Sequence, residues 1–162
     1  TAYGAKFSDL RSSGMAGIFS LFFGVTLSFS LGALDAVAFG YDDAKSITTI
    51  GAGTVTFVVG PITGSAIGSS SEVIALSIAA GLVKSILVMT ITPIVAKKIG
   101  LDNPKSAMVF GGLMGTNSGV AAGLAAVDPK LVPYGAMTAT FYTALGCLIV
   151  PSFLFFLIDL IF

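Results

Sequence analysis

At 162 residues, 55% of them hydrophobic and only 10% charged, the chain has too few charges to cover a water-facing surface, where about 25% is usual. Its solvent is lipid. Eight Lys and Arg balance eight Asp and Glu, so there is neither a basic face for nucleic acid nor an acidic tail. Histidine is absent, which removes the usual general base and the commonest metal ligand. A single cysteine, Cys147, excludes an internal disulfide and reads as a small filler in an apolar run.

Residues 1–14 (TAYGAKFSDLRSSG) read as a polar loop with no signal peptide before the first span. Because the chain starts at Thr1, it is expected to be part of a longer protein. A membrane helix needs about 20 apolar residues, and the first such run extends from Met15 to Gly40 with Asp35 near its end. A second apolar stretch, Ile47 to Val59, meets GPITGSAIGSSS, where Gly60-Pro61 predicts an interruption because proline lacks an N–H and clashes with the preceding turn. The third span runs from Glu72 to Ala96 behind the capping signal SSSE. A fourth, Pro104 to Val127, starts with proline in its first turn and is divided by GGLMGTNSGVAAG. The fifth, Tyr134 to Ile161, is expected to kink at Pro151.

The fold class read from this pattern is an all-α integral membrane protein. It has about five transmembrane segments in one domain, 1–162, with broken segments near 60–71 and 115–119. The second and fourth segments start alike, DAKSITTIGAG beside NPKSAMVFGGL, which is either an internal repeat or coincidence in a low-complexity sequence. Alternating sides through five crossings puts Lys45, Lys97, Lys98 and Lys105 against Lys6, Arg11 and Lys130, too even a division to orient the chain.

Gly60, Gly64 and Gly68, and likewise Gly111, Gly115, Gly119 and Gly123, recur every four residues. On a helix that spacing exposes a strip of backbone to a close neighbour. With Pro61 they are the expected break and packing residues. The polar residues among them add a second reading: Thr63, Ser65 and Ser69 to Ser71 in one stretch, Thr116 to Ser118 in the other. Unpaired polar groups are costly in hydrocarbon, and irregular backbone survives there only inside protein or beside a cavity. A broken helix offers free N–H groups on one side and free carbonyls on the other, so it suits a carboxylate and a Na⁺ ion. The expected substrate-binding residues are therefore Thr116, Asn117, Ser118, Gly119, Thr63, Ser65 and Lys84. The expected cation-binding residues are Asn117, Thr116, Ser70 and Glu72.

Lys84 lies near the middle of the third span, where intramembrane charge points to function. It has three readings: attracting an anion, neutralising carbonyls at a helix break, or pairing with Asp35. Glu72, twelve residues earlier and about 18 Å along a straight helix, is either a capping carboxylate or a cation ligand. Tyr41 and Tyr134 fit an interfacial belt, and TATFYT (Thr138–Thr143) gives the last span a polar seam. With no histidine, no paired membrane acids and no nucleophile beside a base, an enzyme is not expected.

The stretches SITTIGAGTVTFVVGPITGSAIGSSSEVIALSIAAGLVKSILVM and AMVFGGLMGTNSGVAAGLAAVDPKLVPYGAMTATFYTALGCLIVPS resemble the M subunit of the bacterial malonate/sodium symporter, the MadM family. The similarity covers about Gly14 to Phe153 and matches the C-terminal part of longer members. It implies Na⁺-coupled malonate uptake across the bacterial inner membrane by a multi-pass protein. It further implies a small MadL-like L subunit or a second copy as partner, Na⁺ as coupling ion and no other cofactor or metal. The layout also resembles one repeat of a bile-acid-symporter or sodium/proton-antiporter fold. The alternatives are an LrgB-like holin-associated protein or glycolate-type exporter, and a scaffold subunit with no substrate site of its own.

Overall fold

The computed structural model describes residues 7–162, with side chains from residue 16 onward. The described chain is helical: α1 (Phe7–Ala38), α2 (Ala44–Val55), α3 (Val59–Ile67), α4 (Ser71–Val95), α5 (Pro104–Met114), α6 (Asn117–Val127), a 3₁₀ turn (Pro129–Leu131), α7 (Val132–Ile149), a π-helical turn (Val150–Leu154) and α8 (Phe155–Asp159). Three stretches are long and apolar enough to cross a membrane: Ala16–Ala38, Ser71–Val95 and Pro129–Asp159. Large apolar side chains face outward, among them Phe19 at 66% and Ile94 at 74% exposure, as a lipid-facing surface requires. The all-helical membrane class expected from composition stands.

Residues Phe7 to Gly14, expected in a loop, belong to α1. Nothing in FSDLRSSG forbids helix, and a helix already nucleated by the following span extends at one bond per residue. The rest of the expected loop, residues 1–6, lies outside the described residues.

The second and fourth apolar segments are helical hairpins. At the base of the α2/α3 hairpin, the Ser69 hydroxyl donates to the Lys45 carbonyl at 3.2 Å and shares a 2.5 Å hydrogen bond with Thr49. The end of α3 therefore returns to the start of α2. The α5/α6 hairpin closes likewise: Val127 and Asp128, at the end of α6, line one cavity with Lys97, Gly100, Leu101 and Asp102 from the connection that leads into α5.

Local chemistry explains each break. In TVTFVV (Thr54–Val59), five of six residues are β-branched, which crowds a helix, and Thr56 is extended at φ −155° and ψ 157°. Gly60-Pro61, expected to interrupt the chain, lies instead in the first turn of α3. There the missing proline N–H is one of the donors that has no intrahelical partner anyway. The second hairpin turns at Gly115, which closes α5 at φ 70°, a left-handed conformation that glycine adopts without strain.

The chain divides into two compact units, residues 25–84 with 143–162 and residues 1–24 with 85–142. In the first, glycine lets backbones approach: a Cβ at Gly53 would strike the Ser77 backbone, and one at Gly81 the Phe57 backbone. In the second, Gly111 meets the Gly135 backbone and Gly119 the Ser85 backbone. Its core holds Phe110, Val120, Leu124 and Leu131.

Candidate functional site

At the α2/α3 tip, the free carbonyls of α2 form the negative end of a helix dipole. Lys84, thirteen residues into α4, answers them. Its Nζ donates to the Thr54 carbonyl at 2.9 Å, the Val55 carbonyl at 3.1 Å and Ser28 Oγ on α1 at 3.0 Å. An ammonium has three protons, so these acceptors describe the helix-break reading of Lys84. The start of α3 is closed as well: Thr56 Oγ1 accepts from the Val58 and Val59 amides at 3.2 and 3.1 Å.

At the α5/α6 tip the equivalent threonine behaves differently. Thr116 precedes α6 but makes no side-chain capping bond. Its hydroxyl bonds instead to Ser85 of α4, which also contacts the Ser118 hydroxyl at 3.2 Å. The first-turn amides of Asn117, Ser118 and Gly119 have no intrahelical acceptor, and they carry the positive end of the α6 dipole. Thr116 is fully buried, whereas Asn117 and Ser118 are exposed. The Asn117 carboxamide oxygen accepts from Thr140 at 3.2 Å, sharing the one proton of that hydroxyl with the Ala136 carbonyl at 2.9 Å, and its NH₂ group takes no part in this bond. Behind the tip, Tyr142 is fully buried, packs on Gly115 and donates to the Gly24 carbonyl at 3.0 Å.

A model of the malonate/sodium symporter MadM subunit family matches residues 1–162. The chain belongs to the MadM family. The comparison with curated proteins and that with solved structures returned no match. Membership makes this a subunit of a membrane transporter, and the apolar helices make it multi-pass.

In this MadM-family chain, Thr116, Asn117, Ser118 and Gly119 stand together at one helix start. Gly111, Gly115, Gly119 and Gly123 make the close contacts around them, with Gly123 against Thr92. The other expected site residues are spread along their own unit. Thr63 is buried in α3, and Ser65 is exposed on the same helix. Gly60 packs on Ser77, Gly64 packs on Ile74, and Gly68 closes α3 at φ 74°. Ser70 and Glu72 serve the start of α4: Ser70 Oγ accepts from the Val73 amide at 3.3 Å, and Glu72 sits exposed in the first turn. Asp35, with Tyr41 and Thr54, lines a cavity of about 440 Å³ beside α1, α2 and α4.

Sequence reasoning did not single out Ser85, Ser28 or Thr56. Ser85 had one visible signal, its place directly after a charge in mid-span. Among the described residues no three of His, Cys, Asp or Glu cluster.

Proposed function

We propose that this chain carries out Na⁺-coupled uptake of malonate across the bacterial inner membrane, together with a small MadL-like partner subunit. Na⁺ serves as coupling ion, and no other cofactor takes part. The observation that carries the reading is the open start of α6, which differs from the start of α3 in the other unit. The Thr56 hydroxyl accepts from the Val58 and Val59 amides where α3 starts, whereas Thr116 turns its hydroxyl to Ser85 and leaves three amides uncapped beside the exposed Asn117 and Ser118. A carboxylate satisfies such amides and gains from the helix dipole. The Asn117 NH₂ and the Ser118 hydroxyl add donors for its second oxygen. The description of the family, a malonate/sodium symporter subunit, supports that dicarboxylate and that ion.

The test is uptake of labelled malonate into vesicles that contain this protein and its partner subunit, with and without a Na⁺ gradient. Uptake that rises with inward Na⁺ supports the proposal. Uptake indifferent to Na⁺ removes the coupling, and no malonate uptake by the complete transporter removes the substrate. Asn117→Ala is expected to raise the malonate KM by about tenfold, the equivalent of one lost charged hydrogen bond, with normal protein levels in the membrane. Unaltered kinetics in that variant would return Asn117 to a packing role.

A further inference from the structure

Threonine in a membrane helix ordinarily satisfies its hydroxyl on the carbonyl one turn back. This chain does so repeatedly: Thr90 bonds to Ile86, Thr92 to Val88, Thr138 to Tyr134 and Thr140 to Ala136. Thr48 and Thr63 do not. Both are fully buried, and among the described residues their hydroxyls are the buried side-chain atoms without a hydrogen-bond partner. A buried polar atom without a partner calls for a ligand or a reason.

The two belong to one face of the α2/α3 hairpin. Val55 and Val59 both meet Gly146 of α7, each with a methyl 3.0 Å from where a Gly146 Cβ would stand. Thr48 lies two turns before Val55 and Thr63 one turn after Val59, so each shares the face of its valine. One turn beyond Gly146, α7 passes into the π-helical turn Val150–Leu154, against which both α2 and α3 pack. Pro151 has no N–H to give the Cys147 carbonyl its α-helical bond. Wider π geometry shifts the neighbouring bonds, as when the Phe155 amide reaches back to the Val150 carbonyl. Thr48 and Thr63 thus share the hairpin face that meets α7, and their helices pack on a turn whose backbone bonds depart from α-helical register.

We propose that Thr48, Thr63 and backbone carbonyls of the 146–151 segment form a dehydrated Na⁺ site within the 25–84/143–162 unit. Hydroxyl and carbonyl oxygens are the ligands a hard monovalent ion takes when unwound backbone replaces its water. The proposal deepens the Na⁺-coupled reading above and rests on it. Direct binding of radiolabelled Na⁺ to the purified transporter, this chain with its partner subunit, separates the two. Wild-type protein that binds no Na⁺ overturns the coupled reading, and this site with it.

If wild-type protein binds Na⁺, Thr48→Val and Thr63→Val are each expected to weaken it on the order of tenfold. Thr48→Ser and Thr63→Ser, which keep the hydroxyl, are expected to bind nearly as wild type. Equal Na⁺ affinity in the valine variants, with a raised melting temperature from removal of an unsatisfied polar atom, overturns the site and leaves the coupling intact. Pro151→Ala, which restores an amide to the turn without touching either threonine, serves where a valine variant fails to fold. It is expected to weaken Na⁺ binding, and unchanged affinity overturns the part assigned to the carbonyls.

Discussion

Lys84 shows how much one side chain in a membrane depends on what surrounds it. Its mid-span position supported an anion site, an ion pair or a helix end, and the hydrogen bonds to Thr54 and Val55 describe the third. Its stem is partly buried along α4, and the ammonium sits on the carbonyl end of α2, where a cation is favoured. Replacement by methionine keeps the stem and removes the charge, so the α2 carbonyls lose their donor. Hydrogen bonds to a charged group contribute about 1.5–3 kcal/mol each in buried settings. Lys84→Met is therefore expected to destabilise the folded protein by about 2–3 kcal/mol, read as a lowered melting temperature in detergent. An unchanged melting temperature with a raised malonate KM would instead make Lys84 a substrate ligand. Thr116 carries the complementary lesson. A threonine before a helix reads as a cap, yet its hydroxyl is engaged by Ser85, and that single redirection leaves the α6 amides open.

At the scale of elements, the two hairpins share a plan that the sequence hinted at. Asp43 and Asn103, sixty positions apart, each precede a helix and accept from a serine amide, Ser46 at 2.9 Å and Ser106 at 3.0 Å. Thr56 and Thr116 stand at the two tips at the same spacing. The hydrogen bond from Ser46 holds the Asp43 carboxyl below its usual value. A carboxylate with a depressed folded-state value stabilises above the unfolded-state value, and that contribution fades as pH falls through the folded one. Asp43 is exposed, so the effect is small and screened by salt. Acid melts between pH 6 and 3 are expected to show a shallow loss of stability that Asp43→Asn abolishes, since asparagine caps without ionising. The same acid sensitivity in that variant would exclude Asp43 as its source. Much of this level was legible beforehand: the apolar runs, the like starts of the second and fourth segments, the proline disturbance near 151 and the break at 115–119 follow from composition and local chemistry. The direction of the chain after each break was not. A helix that resumes and one that doubles back have the same apolar content, and contacts such as those of Ser69 with Lys45 and Thr49 distinguish them. Ser85 and Thr48 were hidden for the same reason, and Thr63 was visible only as a polar residue of the first glycine-rich stretch and not as a hydroxyl without a partner, because such roles depend on contacts between segments far apart in sequence.

For the whole molecule, doubling back changes which charges share a side of the membrane. With α1, α4 and the α7–α8 run as the stretches long enough to cross, each hairpin returns to the side it left. Lys6, Arg11, Lys97, Lys98, Lys105 and Lys130 then fall on one side, and Lys45 is alone on the other. Counted through five crossings the balance was four to three; through three it is six to one. The excess of Lys and Arg faces the cytoplasm in membrane proteins, so the α4–α5 connection is expected inside and the α1–α2 connection outside. Asp35, Asp42, Asp43, Glu72 and Asp159 gather on the outer side, although acids contribute little to orientation. The single native cysteine makes this simple to test. In a Cys147→Ala background, Asp42→Cys is expected to react with a membrane-impermeant maleimide in intact cells, and Lys98→Cys only after permeabilisation. Both positions are exposed, so reactivity reports the side of the membrane. Five crossings would put residues 42 and 98 on the same side, and equal labelling of the two in intact cells would show that the hairpins traverse the bilayer. Opposite labelling with the sides exchanged would keep the hairpins and reverse the orientation, so one pair of variants tests the fold and its direction separately.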